Sequence, residues 1–448
     1  MSRLGVIVLA AGEGTRMNSQ RPKVLQPVAG APMVSHVLRT ATSLSPHQLV
    51  VVVGHAANQV KAALGSGPQY AEQAEQLGTA HAVLQARDLI ASAVETILVL
   101  YGDTPLITTD TLTAMLERHT AARPAITMLT ARLDNPTGYG RIIRDQAGYV
   151  VGIVEEAVAA DEQTAIREIN PGFYIFDGEW LWPALERVQE SPTGEYYLTD
   201  LVELAITDGR RVEALQAQDA QETLGINTRA QQAEAEAVLR DRIRAHWLDA
   251  GVAMIDPSSS WIDANVVIGA DTVIHPDTYL QGQTEIGDAC SLGPGTLIRD
   301  SKVGDRCRAV FSMIEEAVLE DDVDIGPYSH LRRGAYLSRG VHIGNFGEIK
   351  NSTLGPGVKM GHFSYLGDAT VGEGVNIGAG TITCNYDGEK KHPTVIEERA
   401  FIGSDTMLVA PVTIGAGSRT GAGSVVTRDV PPESLAYGVP ARVREHES

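Results

Sequence analysis

The sequence predicts an α/β domain followed by a β-solenoid. In the first half, short apolar runs alternate with helical patterns, which indicates a doubly wound, Rossmann-like sheet. From Ile262 to Val426, an aliphatic residue, usually followed by Gly, recurs at a six-residue spacing. That period fits neither a helix nor a simple strand, but it is typical of a parallel β-helix. Copies of the repeat begin at Ile286, Leu292, Val303, Ile325, Ile343, Leu354, Leu366, Val371, Ile377, Ile402, Ile414 and Thr420.

The first half contains three apolar runs that we expect to form buried parallel strands. These runs are Gly5–Ala10, Gln48–Val53 and Ile97–Tyr101. Helical patterns accompany them at Pro32–Leu44, Ala56–Leu64 and Gly78–Ile90. In a doubly wound fold the functional site lies at the carboxyl ends of the strands, so we expect the site in the loops that follow these three runs.

Two further segments define the domain organisation. Residues from Ala125 to Phe176 are richer in strand patterns, which predicts a subdomain inserted into the sheet. The segment Arg229–Ala250 is rich in Ala, Glu, Arg and Leu and contains neither Gly nor Pro, so it is expected to form one long helix. We therefore predict an α/β domain at residues 1–228, a linker helix at 229–250 and a solenoid domain at 251–448.

The composition limits the classes of function. The 448 residues suffice for two or three domains with cores of their own. A formal net charge of −20 and a pI of about 5.0 argue against nucleic acid or an anionic membrane as the main partner. The three cysteines, Cys290, Cys307 and Cys384, form no CxxC pair, which indicates a reducing, cytosolic setting. No apolar run is long enough for a membrane span, so no integral membrane association is expected.

The loop after the first predicted strand contains Gly12-x-Gly14, whose backbone amides could bind phosphate. It is neither a Walker A motif nor a complete dinucleotide fingerprint, so an ordinary tight turn is an equal alternative for the loop alone. The nearby cations Arg16 and Lys23 favour phosphate binding. Asp103 follows the third predicted strand, where a helix cap or turn residue and a Mg²⁺ ligand are equal alternatives.

Several large polar side chains interrupt the small residues of the predicted solenoid. Each one alone is explained more simply as a solvent-facing residue. Together they supply two cations for a phosphate, one histidine base and several amide or hydroxyl groups, which is what acetyl transfer to an amine needs. They are Arg332, Lys350, His362, Tyr365, Asn376, Asn385 and Tyr386.

A series of short motifs resembles one enzyme family. The segment Leu9–Met17, with Pro22–Leu25, is similar to the signature of sugar-1-phosphate nucleotidyltransferases. The motifs that narrow the resemblance are Gln76–Thr79, Tyr101–Pro105, Pro136–Arg141 and Gly194–Tyr197. With the solenoid, the whole chain resembles the bacterial bifunctional N-acetylglucosamine-1-phosphate uridyltransferase/glucosamine-1-phosphate acetyltransferase family.

The resemblance implies two successive reactions. Acetyl-CoA would acetylate glucosamine-1-phosphate, and UTP would then react with N-acetylglucosamine-1-phosphate and release pyrophosphate. The product, UDP-N-acetylglucosamine, is a precursor of peptidoglycan and lipopolysaccharide. The resemblance further implies Mg²⁺ as cofactor, a cytoplasmic location and a homotrimer assembled through a left-handed β-helix.

For the first reaction the resemblance implies a site at the carboxyl ends of the sheet strands. The base and ribose side of the nucleotide would contact Leu9, Ala10, Ala11, Gly12, Gln73, Gly78 and Thr79. The catalytic cations on the phosphates would be Arg16 and Lys23, and the Mg²⁺ ligands would be Asp103 and Asn227. The remaining contacts, mainly to the sugar, would come from Tyr101, Gly102, Gly140, Glu155 and Asn170.

For the second reaction the resemblance implies a site on the solenoid. His362 would be the general base, and Glu348 would orient it. Glucosamine-1-phosphate would be bound by Arg332, Lys350, Tyr365 and Asn376. Acetyl-CoA would be bound by Ala379, Asn385, Tyr386, Ser404 and Ala422. The family often carries an arginine near Gly438 that contacts the CoA phosphates, whereas this segment reads Tyr-Gly-Val-Pro440, so Arg442 or Arg444 would be its substitute.

Two other functions are compatible with the same two domains. In one, the chain is a nucleotidyltransferase whose solenoid serves only for trimerisation or regulation. In the other, it is a non-catalytic scaffold that keeps both folds as binding surfaces. The presence of Lys23, Asp103 and His362 favours two active sites over both alternatives.

Overall fold

A computed structural model of the protein describes residues 3–90, 94–156, 159–192 and 194–444. The chain divides into two compact units, Met1–Leu239 and Arg240–Ser448. The division lies inside one long helix, Arg229–Asp249.

The first unit is built from strands and helices that alternate along most of the chain. Its strands are β1 Leu4–Ala10, β2 Pro27–Val28, β3 Ala31–Pro32, β4 Gln48–Val53, β5 Gln69–Glu72, β6 Thr96–Tyr101, β7 Ile126–Arg132, β8 Gly140–Arg144, β9 Val150–Val154, β10 Glu168–Asn170, β11 Tyr174–Asp177 and β12 Val212–Gln216. Its helices are α1 Met33–Ser43, α2 Ala57–Leu64, α3 Thr79–Gln85, α4 Thr109–Ala122, α5 Asp161–Thr164, α6 Gly178–Leu185 and α7 Asp200–Thr207, and α8 is Arg229–Asp249.

The main sheet confirms the predicted doubly wound class. Its order is β5-β4-β1-β6-β11-β7-β10-β8-β9, with β12 also pairing with β7. Strands β5, β4, β1 and β6 are mutually parallel, whereas β11 joins β6 antiparallel. Buried apolar clusters cover both faces of the central strands. The carboxyl ends of β1 and β6 therefore meet at one edge, where the predicted loops lie.

One predicted helix is shorter in the structure. The pattern at Gly78–Ile90 predicts a single helix, but α3 ends at Gln85 and a short 3-10 turn, Arg87–Leu89, follows it. The turn brings Ile90 into the core, where only 7% of it is exposed. Burial of this aliphatic side chain favours the turn over a longer regular helix.

The second unit is a left-handed parallel β-helix with three sheets. Successive strands of the first sheet are Ala253–Met254, Val273–Ile274, Ser291–Leu292, Arg308–Ala309, Asp324–Ile325, His342–Ile343, Lys359–Met360, Asn376–Ile377, Phe401–Ile402, Arg419–Thr420, Leu435–Gly438 and Ala441–Arg444. Those of the second sheet are Ser260–Ile262, Thr278–Gln281, Leu297–Arg299, Met313–Glu315, His330–Leu331, Gly347–Lys350, Ser364–Gly367, Ile382–Cys384, Met407–Val409 and Val425–Val426. Those of the third sheet are Val267–Ile268, Glu285–Ile286, Lys302–Val303, Val318–Leu319, Tyr336–Leu337, Thr353–Leu354, Ala369–Val371, Thr394–Ile396 and Val412–Ile414.

The interior of the solenoid is a ladder of aliphatic side chains. Ile325, Ile343, Met360, Ile377 and Ile402 follow one another in register from coil to coil. Each is at most 3% exposed. Burying one such side chain contributes roughly 1.5–3 kcal/mol, so stacking of coils stabilises the whole unit.

Gly344 shows why glycine follows the aliphatic residue of the repeat. A Cβ at this position would overlap the backbone carbonyl of Gly361 on the next coil. The left-handed backbone conformation comes two residues later, at Phe346, with φ of 59°. Gly344 is therefore required by the close approach of two coils rather than by its own φ.

None of the helices in the described part of the chain combines the length and the apolar character that a membrane span requires.

Candidate functional sites

The first candidate site is a cleft of about 310 Å³ at the carboxyl ends of β1 and β6. The glycine loop follows β1 directly and packs against Lys23. The contact is so close that a Cβ on Gly14 would overlap the Cβ of that lysine. Gly14 has a φ of 66°, so its backbone conformation also favours glycine. Ten predicted residues line the cleft: Leu9, Ala10, Ala11, Gly12, Lys23, Gln73, Gly78, Thr79, Tyr101 and Asp103.

Lys23, Asp103 and Asn227 form the charged centre of this site. The Nζ of Lys23 donates hydrogen bonds to Oδ2 of Asp103 and to Oδ1 of Asn227, the second over 2.9 Å. The side chains of Lys23 and Asp103 are only 14% and 17% exposed. The carboxylate oxygen of Asp103 and the amide oxygen of Asn227 thus both contact the ammonium group of Lys23, next to the glycine loop. This arrangement is suited to a bound phosphate and its metal cation.

The opposite wall of the cleft is formed by Gln73 and the start of α3. The side chain of Gln73 is 3% exposed, and its Nε2 donates to the carbonyl oxygen of Gly78 over 3.0 Å. Gly78 has a φ of 100°, and a Cβ there would lie 2.5 Å from the carbonyl oxygen of Tyr196. Thr79 begins α3, and its Oγ1 accepts a hydrogen bond from the amide of Leu198. These contacts hold this wall rigidly.

Glu155, Gly140 and Asn170 lie together on the strand-rich side of the first unit. Gly140 pairs with Asn170 between β8 and β10. A Cβ on Gly140 would lie 3.5 Å from both carboxylate oxygens of Glu155, and Thr199 donates to one of these oxygens over 3.3 Å. Burial raises the pKa of Glu155, and the Thr199 hydrogen bond offsets part of that rise. A half-buried carboxylate that accepts hydrogen bonds is suited to a ligand rich in hydroxyl groups.

Six predicted residues of the first site are not among those that line the cleft in the described chain. Four of them are described above, namely Gly140, Glu155, Asn170 and Asn227, and the other two are Arg16 and Gly102. Arg16 is exposed in the turn Thr15–Met17 and is not among the cleft-lining residues of the described chain. Gly102 is buried behind the cleft, where its amide donates to the carbonyl oxygen of Leu9 over 2.9 Å. Its role is to let β6 end close to β1.

Five cleft-lining residues had no predicted role. Four of them stand inside the motifs that carried the family resemblance, so the motif boundaries could have identified them. The fifth, Ala82, is apolar and carries no chemical signal in the sequence. The five are Gln76, Glu195, Tyr197, Val24 and Ala82.

The second candidate site begins with a polar cluster on the second sheet of the solenoid. Glu348 lies beside Tyr365 in the register of adjacent strands, and Lys350 lies beside Gly367. Arg332, on the preceding coil, donates to Oε1 of Glu348 over 2.8 Å. The structure therefore brings three predicted ligands of the sugar phosphate together with Glu348.

Glu348 has a different partner from the one implied by the family resemblance. Its carboxylate accepts from Arg332, and no hydrogen bond between Glu348 and His362 is present among the described residues. His362 is exposed at the corner before the strand Ser364–Gly367. A role for Glu348 in orienting His362 remains a prediction.

Four predicted residues form one column along an edge of the solenoid. The register of the first sheet places them at equivalent corners of successive coils. Three of the four side chains are exposed and one is half-buried. Three of the four are small, so the edge beyond the histidine offers room for an extended ligand. In chain order they are His362, Ala379, Ser404 and Ala422.

The segment that interrupts the repeats forms a small hairpin beside this cluster, closed by a bridge between Tyr386 and Lys391. Asn385 is buried and donates to Oδ2 of Asp368 over 2.6 Å, whereas Tyr386 is 60% exposed. The ammonium group of Lys391 lowers the pKa of Lys350, and Arg332 adds to the effect. Lys391 is thus a further cation of the cluster that the sequence did not single out.

The remaining predicted residues of the second site lie elsewhere on the solenoid. Asn376 belongs to the first sheet rather than the second, between Lys359 and Phe401. Arg442 and Arg444 both lie on the last strand, in the antiparallel hairpin that ends the described chain. Both are exposed, so the alternative between them stays open.

Comparison with known proteins agrees with both halves of this description. Residues 5–263 match the nucleotidyl transferase family, and residues 265–300 and 393–428 match the bacterial transferase hexapeptide family. The bifunctional protein GlmU of Heliobacterium modesticaldum is 52% identical, over 97% of this chain and 95% of that protein. The proteins of the same name from Exiguobacterium sibiricum and a Geobacillus species are each 47% identical, over 96% and 98% of this chain and 96% and 95% of theirs. The chain therefore belongs to the bifunctional GlmU family, in which a nucleotidyl transferase domain and a hexapeptide-repeat domain form one polypeptide.

Proposed function

We propose that this protein is a bifunctional enzyme that makes UDP-N-acetylglucosamine in two steps. It transfers acetyl from acetyl-CoA to glucosamine-1-phosphate, and then uridyl from UTP to N-acetylglucosamine-1-phosphate. Membership of the GlmU family over nearly the whole chain supports both activities. The observation that carries the assignment is that each half has its own cationic site of suitable chemistry.

In uridyl transfer, a phosphate oxygen of the sugar phosphate attacks the α-phosphorus of UTP. The bond to the β-phosphate breaks and pyrophosphate leaves. Such chemistry depends on positioning and on neutralising charge rather than on a covalent intermediate. Lys23 would neutralise the phosphates from within the cleft, with Arg16 approaching from the exposed turn. Gly140, Glu155 and Asn170 would bind the N-acetylglucosamine group.

Mg²⁺ is the proposed cofactor of this step. Asp103 and Asn227 direct one carboxylate and one amide oxygen at the same cation, the ammonium of Lys23. This donor set fits Mg²⁺, which takes hard oxygen ligands and needs only one or two from the protein. When bound, the ion would supply positive charge to the phosphate oxygens. Asp103 and Asn227 would hold it, and Lys23 would turn to the phosphates.

In acetyl transfer, the amine nitrogen of glucosamine-1-phosphate attacks the thioester carbonyl. The carbon–sulfur bond breaks, CoA leaves as the thiol, and the nitrogen loses a proton. His362 would accept that proton as general base. Arg332 and Lys350 would bind the phosphate, helped by Tyr365 and Asn376. The edge formed by Ala379, Ser404 and Ala422, with the hairpin residues Asn385 and Tyr386, would bind acetyl-CoA.

The protein is also proposed to be a cytoplasmic homotrimer assembled through the solenoid. A stacked ladder of Phe311, Tyr328 and Phe346 supports assembly, with ring centroids 5.6 and 5.4 Å apart and exposures of 42%, 56% and 58%. Exposed aromatic ladders of this kind are typical of contact surfaces. The free thiols of the three cysteines support a reducing compartment.

The test is to measure both reactions on one preparation of the enzyme. Pyrophosphate release from UTP reports the first site, and thiol release from acetyl-CoA reports the second. The variant Asp103→Asn should lower the first rate by roughly 100-fold or more, because charge neutralisation at the phosphates is lost. Thiol release should stay near that of the wild type. Loss of both activities in a folded Asp103→Asn variant would contradict two separate sites.

A further inference from the structure

The side-chain amide of Gln73 is held by two hydrogen bonds, both made through its nitrogen. Nε2 lies 3.0 Å from the carbonyl oxygen of Gly78 and 3.1 Å from Nδ1 of His81. Because a carbonyl oxygen can only accept, the amide atom facing Gly78 must be the nitrogen. The second amide hydrogen then points to Nδ1 of His81, which accepts it in the tautomer that carries the ring proton on Nε2.

Both partners of Gln73 are fixed by the surrounding fold. Gly78 is in a glycine-only conformation against the backbone of Tyr196, whose amide donates to Leu77 and whose carbonyl accepts from Ala80. His81 lies in the first turn of α3, whose start is anchored by the hydrogen bond between Thr79 and Leu198. Rotation of the Gln73 amide by 180° would place its oxygen against the Gly78 carbonyl, which only accepts, and against Nδ1 of His81 in the tautomer that carries the ring proton on Nε2.

Because Nε2 of Gln73 is already hydrogen-bonded to Gly78 and His81, Oε1 is the side-chain atom that remains for a ligand. Gln73 lines the nucleotide cleft although only 3% of it is exposed. Its Oε1 can only accept, so it favours a base that presents a ring N–H. Uracil and thymine carry such a donor at N3, whereas cytosine carries an acceptor there. A buried acceptor facing another acceptor loses a hydrogen bond and costs binding free energy.

We propose that His81 is a positioning residue that holds the Gln73 amide with its oxygen toward the cleft, so that the enzyme selects a pyrimidine with a ring N–H over cytosine. The inference rests on the proposed function, because it assumes that the nucleotide binds in this cleft. His81 itself lies outside the cleft lining and borders a separate apolar hollow with Leu77, Leu84 and Leu185. It therefore acts through Gln73 and does not contact the nucleotide.

The experiment compares His81→Phe with His81→Asn. Phenylalanine keeps the ring volume but removes the acceptor, whereas asparagine can place Oδ1 near the position of Nδ1. In His81→Phe the KM for UTP should rise about fivefold, the equivalent of one hydrogen bond, with kcat within about twofold of wild type. The ratio of kcat/KM for UTP to that for CTP should fall by a similar factor. His81→Asn should restore most of both values.

Three outcomes would overturn the inference. Unchanged KM and UTP/CTP selectivity in His81→Phe would show that Gly78 alone orients the amide. Equal impairment of both variants would show that His81 acts through packing only. The third outcome is measured by calorimetry, which gives the affinities for UTP and CTP without turnover. If His81→Phe and the wild type bound the two nucleotides with equal affinities, a positioning role for His81 would be contradicted. A wild-type enzyme that binds UTP but releases no pyrophosphate would refute the proposed function and leave this binding test intact.

Discussion

At the scale of single residues, the two proposed sites use their charges differently. Lys23 already neutralises Asp103 before any ligand binds, so the first site exchanges one ion pair for another when phosphates enter. On the solenoid, Lys391 lies close to Lys350, and its positive charge lowers the pKa of Lys350. That repulsion is relieved when an anion binds between them, which favours a phosphate at this position.

His362 is the residue on which acetyl transfer should depend most. We expect His362→Ala to lower kcat for thiol release by about 10²–10⁴-fold, the usual contribution of a general base. Pyrophosphate release from UTP should be unchanged. The matched control is His275→Ala, which should keep both activities. His275 is half-buried, forms a hydrogen bond with Ser291 and lies on a coil far from His362. A His362→Ala enzyme within a few-fold of wild type would place the base elsewhere.

His119 should make the first unit sensitive to acid. Its ring is 5% exposed, its Nδ1 lies 3.0 Å from Oγ1 of Thr127, and burial lowers its pKa to about 4. Because folding favours the neutral ring, its contribution is fully present above pH 6.5 and is lost as pH falls from 6.5 toward 4. The loss should reach up to about 3 kcal/mol.

The measurement for His119 is urea unfolding at pH 7 and pH 5. The variant His119→Gln should show a smaller loss of unfolding free energy between the two pH values than the wild type does. His47→Gln, at an exposed histidine, should behave as the wild type does. Equal pH dependence in all three proteins would show that His119 does not contribute.

At the scale of elements, the solenoid depends on how closely its coils approach. We expect Gly344→Ala to destabilise the protein by roughly 1–3 kcal/mol, because its Cβ would overlap the carbonyl of Gly361 and force two coils apart. Gly361→Ala is the matched control, since a Cβ there has no atom within 4 Å among the described residues. Thermal unfolding of both variants checks this. Equal melting temperatures would mean that the coils yield without cost.

At the scale of the whole molecule, the two halves should act independently. We expect a fragment of residues 251–448 to form trimers and to acetylate glucosamine-1-phosphate, because every fully buried residue of its core lies within those residues and only Ile243 and Trp247 of α8 add to it. Sedimentation and thiol release are the measurements. A monomeric fragment would contradict assembly through the solenoid.

The first half should need more than residues 1–228 for full stability. Ala235 on α8 is buried with Val28, Met33, Leu106 and Ile226. A fragment of residues 1–239 keeps that cluster and should melt at a higher temperature than residues 1–228, with both retaining some uridyl transfer. If the shorter fragment proved equally stable, the first part of α8 would be only a linker, as the predicted linker helix at residues 229–250 implies.

The architecture could be predicted from the sequence, because its signals are local. The six-residue aliphatic period predicted the solenoid, and β4 has the same bounds, Gln48–Val53, as its apolar run. The element that the pattern misjudged, Gly78–Ile90, is one where tertiary burial of Ile90 outweighed local helix preference.

Which side chains contact one another depends on the packing of elements that are distant in the sequence. Lys23 lies 80 residues from Asp103 and 204 from Asn227, so their shared centre exists only because β1 and β6 end side by side. No local pattern could show that Glu348 pairs with Arg332, that Lys391 joins the cation cluster, or that His81 holds Gln73. Such contacts depend on distances and directions set by the packing of whole elements, whereas periodicity records only which face of the chain is buried.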